Sequence, residues 1–240
     1  MTVTVPLYIQ IREALAERIQ SGEWPPGTRI PAERELVTEF GASRGTIRQA
    51  INDLVSKGLL RRVQGSGTYV ADPKVDVPAH LLLSFTETMR RHGLEPGAQV
   101  LSVETVPASR KLCQLLNLSL GDQVYQIVRL RTGNNQPVAL EYSHFPVKLC
   151  PGLERFDLQG RSIYRILDEE YGLALVRAEQ TLEPTLARRF EAEVLGVPEG
   201  APLMLWERLA FTSTGLPVEY AKDLYRGDRV RFRVMLHLPG

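Results

Sequence analysis

The first seventy residues of the chain alternate between apolar stripes at helical spacing and short turn signals. Apolar side chains recur every four positions from Leu7 to Ile19 and predict a helix over residues 6–21. Residues 33–40 and 43–57 are predicted to form two further helices, separated by a glycine turn. Three helices in this order, with a tight turn between the last two, predict a helix-turn-helix.

Short strands follow directly after the third predicted helix. Residues 59–63 and 68–71 have a strand pattern, and the residues between them, Gln64-Gly65-Ser66-Gly67, form the turn of a hairpin with two glycines at its tip. Because glycine has no side chain, the backbone at this tip can come close to another surface. A hairpin in this position predicts a winged helix-turn-helix, and its glycine tip suits entry into a minor groove of DNA.

The third predicted helix has one apolar and one polar face. Ser43 precedes the helix and can accept hydrogen bonds from the free N–H groups of its first turn. Arg44 and Arg48 are four residues apart and point the same way, so they can bond phosphate oxygens or base edges in a major groove. A three-helix core with arginines on its solvated side, unconnected with DNA, is the alternative. The apolar face holds Ile47, Ala50, Ile51 and Leu54, and the polar face holds Arg44, Thr46, Arg48, Gln49 and Asn52.

The distribution of charge changes this picture more than the total charge does. The 240 residues carry a formal net charge of +1, and the 43% hydrophobic and 24% charged content is that of a globular protein. Between Gly41 and Val70, however, five residues are basic and one is acidic, so positive charge is concentrated at the motif.

No apolar run approaches the roughly 20 residues that span a membrane, and no signal peptide is evident, so we expect a cytoplasmic protein. Cys113 and Cys150 lack the spacing of metal ligands.

The remainder of the chain contains a weak internal repeat with an offset of 79 residues. Residues 121–130 align with residues 200–209, and each copy is followed by a turn and a strand that begins with Pro-Val. These second strands start at Pro137 and Pro217, and a short helix precedes each copy. The repeat predicts one antiparallel sheet of two similar halves with helices on one side, and residues 162–171 form the helix between the halves. Chance similarity of two amphipathic hairpins is the alternative.

Two arginines stand two positions apart on a predicted strand of the first half. Arg129 and Arg131 therefore project from one face about 7 Å apart and can clamp an anionic group such as phosphate. Glu141 and Glu219 hold equivalent places in the two halves and can accept hydrogen bonds from sugar hydroxyls or an amine. Ordinary salt bridges, among these four or with the arginines near the C-terminus, explain the same charges equally well. The register across residues 133–136 decides whether Glu141 faces the arginines.

Three dense motifs mark the N-terminal part of the chain. They are Pro-Ala-Glu-Arg-Glu-Leu from position 31, Gly-Ala-Ser-Arg-Gly-Thr-Ile-Arg-Gln-Ala from position 41, and Gly-Leu-Leu-Arg-Arg-Val-Gln-Gly-Ser-Gly-Thr-Tyr-Val from position 58. Together they resemble the GntR family of bacterial transcription regulators. Ala32 departs from the serine that begins the supporting helix in many relatives, which weakens a helix cap. The resemblance implies a double-stranded DNA partner that contacts Arg34, Ser43, Arg44, Thr46, Arg48, Gln64 and Gly65.

Further motifs extend the resemblance to the end of the chain. They include Ser-Phe-Thr-Glu-Thr-Met from position 84, Arg-Ser-Ile-Tyr from position 161, and Pro-Val-Glu-Tyr-Ala-Lys-Asp-Leu-Tyr-Arg-Gly-Asp from position 217. These look like the UTRA effector domain of the HutC subfamily, which is similar to chorismate lyase in fold, and within it like the regulators of N-acetylglucosamine use. Arg161 departs from the small residue common there, and its guanidinium can add a phosphate donor or change the ligand. The resemblance implies that phosphate lies near Phe85, Thr86, Arg129, Arg131, Ser162 and Tyr164, and that the sugar is held by Glu141, Glu219 and Tyr225.

These observations predict an α+β protein with a winged helix-turn-helix over residues 1–71, a linker over 72–80, and an effector-binding and dimerisation domain over 81–240. We expect a homodimer that binds a palindromic operator, responds to a phosphorylated sugar such as N-acetylglucosamine-6-phosphate or glucosamine-6-phosphate, and represses genes of amino-sugar uptake and catabolism. Two alternatives stay open: the same class of regulator responding to a different small anionic metabolite, and a constitutive DNA-binding dimer without an effector. The sequence has no Ser/His/Asp set, metal cluster or phosphate loop, and its four histidines are scattered, so we expect neither an enzyme nor a cofactor.

Overall fold

The chain folds as two units, each with its own core. The first comprises the chain up to Lys74 together with residues 227–229, and the second comprises Val75–Arg226 and the segment from Val230 onwards. No helix in the part of the chain described is both long and apolar enough to cross a membrane. The computed structural model describes residues 5–63, 65–78 and 80–236.

Three helices followed by an antiparallel hairpin make up most of the first unit. The elements are α1 (Leu7–Gln20), α2 (Glu33–Phe40), α3 (Arg44–Ser56), β1 (Leu60–Val63) and β2 (Gly67–Val70). Apolar side chains from all three helices form the core, in which Leu15, Leu36 and Leu54 are fully buried. Gly41 makes the turn between α2 and α3 with a φ of 59°, a left-handed conformation that favours glycine. This unit is a winged helix-turn-helix, as the apolar pattern predicts.

The two helices of the motif begin differently. The hydroxyl of Ser43 accepts a hydrogen bond of 3.1 Å from the backbone N–H of Thr46, which caps α3. Ala32 precedes α2 and has no side-chain oxygen, so its contribution is limited to its own N–H, which donates to Glu35 Oε2 at 2.8 Å. The helix forms despite this weaker cap because Leu36 anchors it in the core.

The second unit is built around a six-stranded antiparallel sheet and a separate pair of parallel strands. Its strands are β3 (Val75–Pro78), β4 (Pro96–Pro107), β5 (Gln123–Gly133), β6 (Gln136–Pro146), β7 (Leu175–Leu186), β8 (Pro202–Thr212), β9 (Pro217–Arg226) and β10 (Val230–Arg233). Its helices are α4 (Phe85–Arg91), α5 (Arg110–Leu115), α6 (Ile163–Tyr171) and α7 (Arg189–Leu195), with a 3-10 helix at Leu153–Arg155. The large sheet has the order β4-β5-β6-β9-β8-β7. The α+β class with a large antiparallel sheet is confirmed.

Part of the segment expected to be a linker is a strand. Residues 72–80 include β3, which pairs in parallel with β10. Val75 and Val77 are each 5% exposed because they pack with Phe85 and other side chains of the second unit. The prolines of this segment favour a linker, but the alternation of valines around one polar residue is a strand pattern, and Pro78 stands at the end of the strand, where proline is tolerated.

The strand order reflects the internal repeat of the sequence. β4, β5 and β6 form one half of the sheet, β7, β8 and β9 form the other, and β6 pairs with β9 at the centre. The expectation that the helices lie on one side is wrong. Ile163 of α6 packs with Ile127 on one face, whereas Leu195 of α7 packs with Val128, the next residue along β5, on the other. The central strands are therefore buried on both faces.

A bulge in each hairpin sets the register of the sheet. Between β5 and β6 the pairing shifts by one residue at Val138, and beyond this point Glu141 stands directly opposite Arg129. Without the shift, Glu141 would oppose Val128 and point to the other face, because side chains alternate along a strand. The hairpin of β8 and β9 has a matching shift at Val218. The bulges therefore decide which side chains meet on the sheet.

Candidate functional site

The polar face of α3 is largely exposed. Ser43, Arg44, Arg48 and their polar neighbours Gln49 and Asn52 are exposed, and Thr46 is half-buried. Arg48 Nη2 lies 3.3 Å from Glu33 Oε2, with 58% of the arginine side chain exposed. Arg34 of α2 is 80% exposed and stands 3.9 Å from Glu35. Exposed pairs of this kind contribute at most about 1 kcal/mol, so a phosphate or base can replace them.

The hairpin contacts the same helix within the first unit. Arg62 of β1 donates a hydrogen bond of 2.6 Å to Asn52 Oδ1 of α3. Gly65 at the hairpin tip is exposed and has a φ of 72°. Gln64, which is also expected to contact DNA, lies outside the described residues. The helix face and the hairpin thus form one arginine-rich surface, which we call the basic face.

Six charged side chains lie buried together on one face of the sheet in the second unit. Three are basic and three are acidic, and none is more than 8% exposed. Buried charges are tolerated where opposite charges pair, because each ion loses its hydration. We call this group the charge cluster. Its members are Arg129 and Arg131 of β5, Glu141 of β6, Arg208 of β8, and Glu219 and Asp223 of β9.

Arg129 and Glu141 form the tightest pair of the charge cluster. Arg129 Nε lies 2.7 Å from Glu141 Oε2, and Nη2 contacts the same oxygen. The remaining nitrogen, Nη1, donates to the carbonyl of Leu158 at 3.0 Å. Burial by itself would raise the pKa of Glu141. The positive charges of Arg129 and Arg131 outweigh this effect and lower the pKa to about 2. Glu141 is therefore ionised at neutral pH and neutralises its neighbours.

Arg131 connects the charge cluster to the beginning of α4. Its Nη1 lies 3.5 Å from Glu141 Oε2, and its Nη2 donates to Thr86 Oγ1 at 3.3 Å. The guanidinium also lies over the ring of Phe85, 4.4 Å from the ring centroid. The hydroxyl of Ser84 caps α4 and fixes the first turn of this helix. Because Phe85 and Thr86 belong to this turn, their contacts with Arg131 hold the guanidinium in place.

Arg208 holds the other half of the charge cluster. Its Nε lies 3.3 Å from Glu219 Oε2 and its Nη2 lies 3.5 Å from Asp223 Oδ2. Tyr164 of α6 donates its hydroxyl to Glu219 Oε2 at 2.6 Å. Asp223 stands directly opposite Glu141, and its Oδ1 is buried without a hydrogen-bond partner among the described residues. Burial raises the pKa of Asp223 to about 8, although Arg208 opposes this shift.

A cavity of about 20 Å³ lies between the charge cluster and the beginning of α6. This volume has room for about one water molecule. A larger cleft of about 680 Å³ adjoins it, and Ser84, Ser162 and Tyr164 line both. Ser162 precedes α6 without capping it, so the first N–H groups of this helix lack a side-chain cap. Seven of the expected effector residues line the small cavity, namely Phe85, Arg129, Arg131, Glu141, Ser162, Tyr164 and Glu219, and Thr86 lines the cleft.

Tyr225 takes a different position from the other expected effector residues. Its ring packs 5.6 Å from the ring of Trp206, measured between centroids, and it lines neither the cavity nor the cleft. Arg161 lines the cleft, and its Nη2 donates to Glu169 at 2.9 Å and to Glu170 at 3.0 Å. The guanidinium that departs from the family pattern is thus held by two carboxylates at the edge of the cleft.

Two members of the charge cluster are missing from the residues inferred from the sequence. Arg208 aligns with Arg129 in the internal repeat, so the repeat itself contains a signal for it. Asp223 lies at the centre of the pairing between β6 and β9, opposite Glu141, and its position follows from strand pairing rather than from sequence spacing. Neither residue belongs to a pattern that identifies a binding site by itself.

The basic face and the second unit define a class of protein. A winged helix-turn-helix with exposed arginines, in one chain with a separate sheet domain, is the architecture of a DNA-binding transcription regulator. The family described as bacterial regulatory proteins, gntR family, matches residues 7–70, and the UTRA domain matches residues 91–231. The chain belongs to the GntR family and carries a C-terminal UTRA domain. Proteins of this family regulate transcription and are not enzymes.

Known regulators are similar to this chain over nearly its full length. The HTH-type transcriptional repressor NagR of Bacillus subtilis is 38% identical over 228 residues, which cover 95% of this chain and 93% of that protein. The mannosyl-D-glycerate transport/metabolism system repressor MngR of Escherichia coli is 32% identical over 230 residues, covering 96% and 95%. The crystal structure of PhnF from Mycobacterium smegmatis has a TM-score of 0.68 at 29% identity and covers 98% of this chain and all of that chain. The chain is thus a repressor of the HutC type, similar to the regulators of N-acetylglucosamine use.

Proposed function

We propose that this repressor is a cytoplasmic homodimer that controls genes of amino-sugar uptake and catabolism and responds to a phosphorylated amino sugar. The observation that carries the ligand assignment is the pair Arg129 and Arg131, which face one cavity together with Ser162 at the beginning of α6. Two guanidinium groups beside an uncapped helix N-terminus suit a phosphate group. Glu141 and Glu219 line the same cavity and suit the hydroxyl or amino groups of a sugar.

The proposed DNA contacts lie on the basic face. Arg44 and Arg48 would read base edges or phosphates in a major groove, with Ser43, Thr46 and Arg34 beside them, while Gln64 and Gly65 of the wing would approach the minor groove. A palindromic operator follows from a two-fold dimer, because each copy of the chain would bind one half-site. Adjacent half-sites then lie about 34 Å apart or a multiple of this distance.

Exposed apolar side chains support the dimer. Strand β7 is an edge strand of twelve residues, and Val176 and Leu186 on it are 58% and 63% exposed. Phe190 of the neighbouring helix α7 is 52% exposed. A long edge strand with apolar side chains is a surface that proteins usually cover. A second copy of the second unit, bound along this edge, would bury these side chains.

The size of the cavity constrains how the effector binds. A sugar phosphate needs far more space than about 20 Å³, so binding requires that the cavity open into the adjoining cleft. Tyr164 and Ser162 line both spaces, and a movement at the beginning of α6 would join them. The ligand would change operator binding only if it bound the two states of the repressor with different affinity.

A different anionic effector is the second candidate, and Arg161 favours it. This guanidinium adds a positive charge at the cleft beside Ser162. A ligand with a second acidic group could displace Glu169 and Glu170 from Arg161 and gain a contact that a sugar monophosphate lacks. A constitutive dimer without effector predicts that no small molecule stabilises the second unit.

Thermal unfolding with a ligand panel tests these proposals. A ligand at 100 times its Kd stabilises the protein by about 2.7 kcal/mol. We expect glucosamine-6-phosphate or N-acetylglucosamine-6-phosphate to raise the Tm, unphosphorylated N-acetylglucosamine to have little effect, and Arg131→Gln to abolish the shift. A panel in which only other phosphates, phosphonates or dicarboxylates raise the Tm would replace the sugar assignment with the second candidate. If no ligand raises the Tm, the constitutive dimer is favoured.

Operator binding is tested separately in a mobility-shift assay at stated salt. Arg48→Ala should weaken specific operator binding at least tenfold while the thermal shift by the effector stays unchanged. Arg110→Ala removes an exposed arginine from the second unit and serves as the control for the loss of one positive charge. Unchanged operator binding by Arg48→Ala would contradict the assignment of α3 as the recognition helix.

A further inference from the structure

The segment before α2 pairs with the free edge of the wing through an isolated β-bridge. Two backbone hydrogen bonds, of 2.8 and 3.0 Å, join residues 28–30 to residues 68–70 of β2, so Arg29 stands opposite Tyr69. β2 therefore has β1 on one edge and this segment on the other. The backbone pairing fixes Arg29 beside the hairpin tip rather than leaving it on a free loop.

The side chain of Arg29 lies over Gly67 at the tip of the wing. A Cβ atom at position 67 would come within 2.8 Å of Arg29 Nε. Gly67 also has a φ of 136°, a conformation that side chains disfavour. The glycine thus serves two purposes, because it allows the tight hairpin and leaves space for the guanidinium beside it.

A second arginine approaches the tip from the other side of β2. Arg62 of β1 and Arg29 both border an open groove of about 420 Å³ around Gly65, Ser66 and Gly67. Both arginines are exposed. Within the described part of the chain, neither has a carboxylate within 4.0 Å, and Arg62 is bonded to the neutral side chain of Asn52. In this respect they differ from Arg48, which has an acidic partner.

Two cations that have no acidic partner among the described residues, around a tip whose glycines expose the backbone, are complementary to a polyanion. A minor groove is bordered by two sugar-phosphate backbones. When a hairpin enters the groove, each edge of the hairpin comes near one of these backbones. We propose that Arg29, with Arg62 on the opposite edge of β2, binds backbone phosphates of the operator beside the wing. This inference rests on the proposed operator binding and adds phosphate contacts that are independent of base sequence.

The salt dependence of DNA binding tests the proposal. Each phosphate contact contributes about 0.9 to the slope of log K against log salt for B-DNA. Arg29→Gln should therefore reduce the magnitude of the slope by about 0.9, for the operator and for a scrambled duplex alike. Relative to wild type, the variant should lose about 3.5-fold more affinity at 50 mM than at 200 mM salt. Arg29→Lys keeps the charge and should keep the slope, which separates loss of the contact from damage to the wing.

Arg110→Gln is the matched control, because it removes one exposed arginine from the second unit. The proposal is overturned if Arg29→Gln and Arg110→Gln have the same slope as wild type while Arg48→Ala loses operator specificity. In that case the proposed operator binding stands and the phosphate contact does not. If wild type shows no preference for any palindromic duplex, the proposed operator binding itself fails, whatever the slope. A loss by Arg29→Gln for the operator alone would also overturn the proposal, because it would indicate base recognition.

Discussion

Replacing Glu141 by glutamine tests whether the negative charge of Glu141 stabilises the second unit by compensating the buried positive charges of Arg129 and Arg131. The carboxylate oxygen Oε2 accepts hydrogen bonds from two nitrogens of Arg129 and lies 3.5 Å from Arg131. The side chains of the two arginines are only 3% and 6% exposed, so water cannot take over the role of the carboxylate. Glu141→Gln removes the negative charge and keeps the size of the side chain.

The expected loss of stability follows from the burial of these partners. Removing one member of a buried ion pair typically costs about 3–5 kcal/mol, because the other charge stays buried without compensation. The amide oxygen of glutamine can still accept one hydrogen bond from Arg129, so we expect the lower end, about 3 kcal/mol. For a domain of 150–250 residues this corresponds to a fall in Tm of about 6–12 °C.

The fluorescence of Trp206 can follow this transition. The chain has two tryptophans, Trp24 in the first unit and Trp206, which is 4% exposed, in the second. A Trp24→Phe background therefore reports the unfolding of the second unit. Glu104→Gln on the exposed side of β4 is the control and should change stability by less than about 0.5 kcal/mol. Equal melting temperatures for the two variants would refute the reasoning that Glu141 compensates the buried arginines.

Three further variants test other parts of the structure. Asp223→Asn should gain stability relative to wild type as the pH rises from 5 to 8, measured by urea unfolding. Burial raises the pKa of Asp223 to about 8 in the folded chain. Folding therefore retains a proton that the unfolded chain releases near pH 4, and the stability of wild type falls with pH in this window. A stability difference independent of pH would contradict this. Tyr164→Phe removes the 2.6 Å hydrogen bond to the buried Glu219 and should cost about 1–3 kcal/mol in thermal unfolding, whereas no change would mean that water replaces the hydroxyl. Leu15→Ala in the fully buried core of the first unit should cost about 2–5 kcal/mol and lower the apparent operator affinity near its Tm. A normal circular dichroism melting curve for this variant would contradict the assignment of that core.

The first unit could be predicted from the sequence because its determinants are local. The apolar stripe of α3, the cap at Ser43 and the turn at Gly41 lie within a few residues of the structure they specify. The second unit depends on long-range pairing. Val128 and Ile127 are both buried because helices cover both faces of the sheet, and a continuous apolar strand does not reveal from which side each helix comes.

The candidate site could be predicted only in part for a similar reason. The spacing of Arg129 and Arg131 indicates that they share a face, but Glu141 joins them only because one extra residue, Val138, bulges out of β6. A valine in a strand gives no sign of a bulge. Arg208 comes to the same face from the other half of the sheet, although only the internal repeat indicates a place for it.

The charge cluster also bears on how an anionic effector would select between states of the repressor. Glu141 already occupies the position of the hydrogen-bond acceptor that the proposed phosphate would need beside Arg129 and Arg131. A phosphate must therefore displace this carboxylate or draw the arginines towards the cleft, and either movement changes the packing of α4, because Arg131 also contacts Thr86 and Phe85. A ligand with a single weak negative charge gains too little from the arginines to offset the pair that it breaks. The need to break the pairing of Glu141 with the two arginines would then explain both the selection for a strongly anionic ligand and the conformational change on binding.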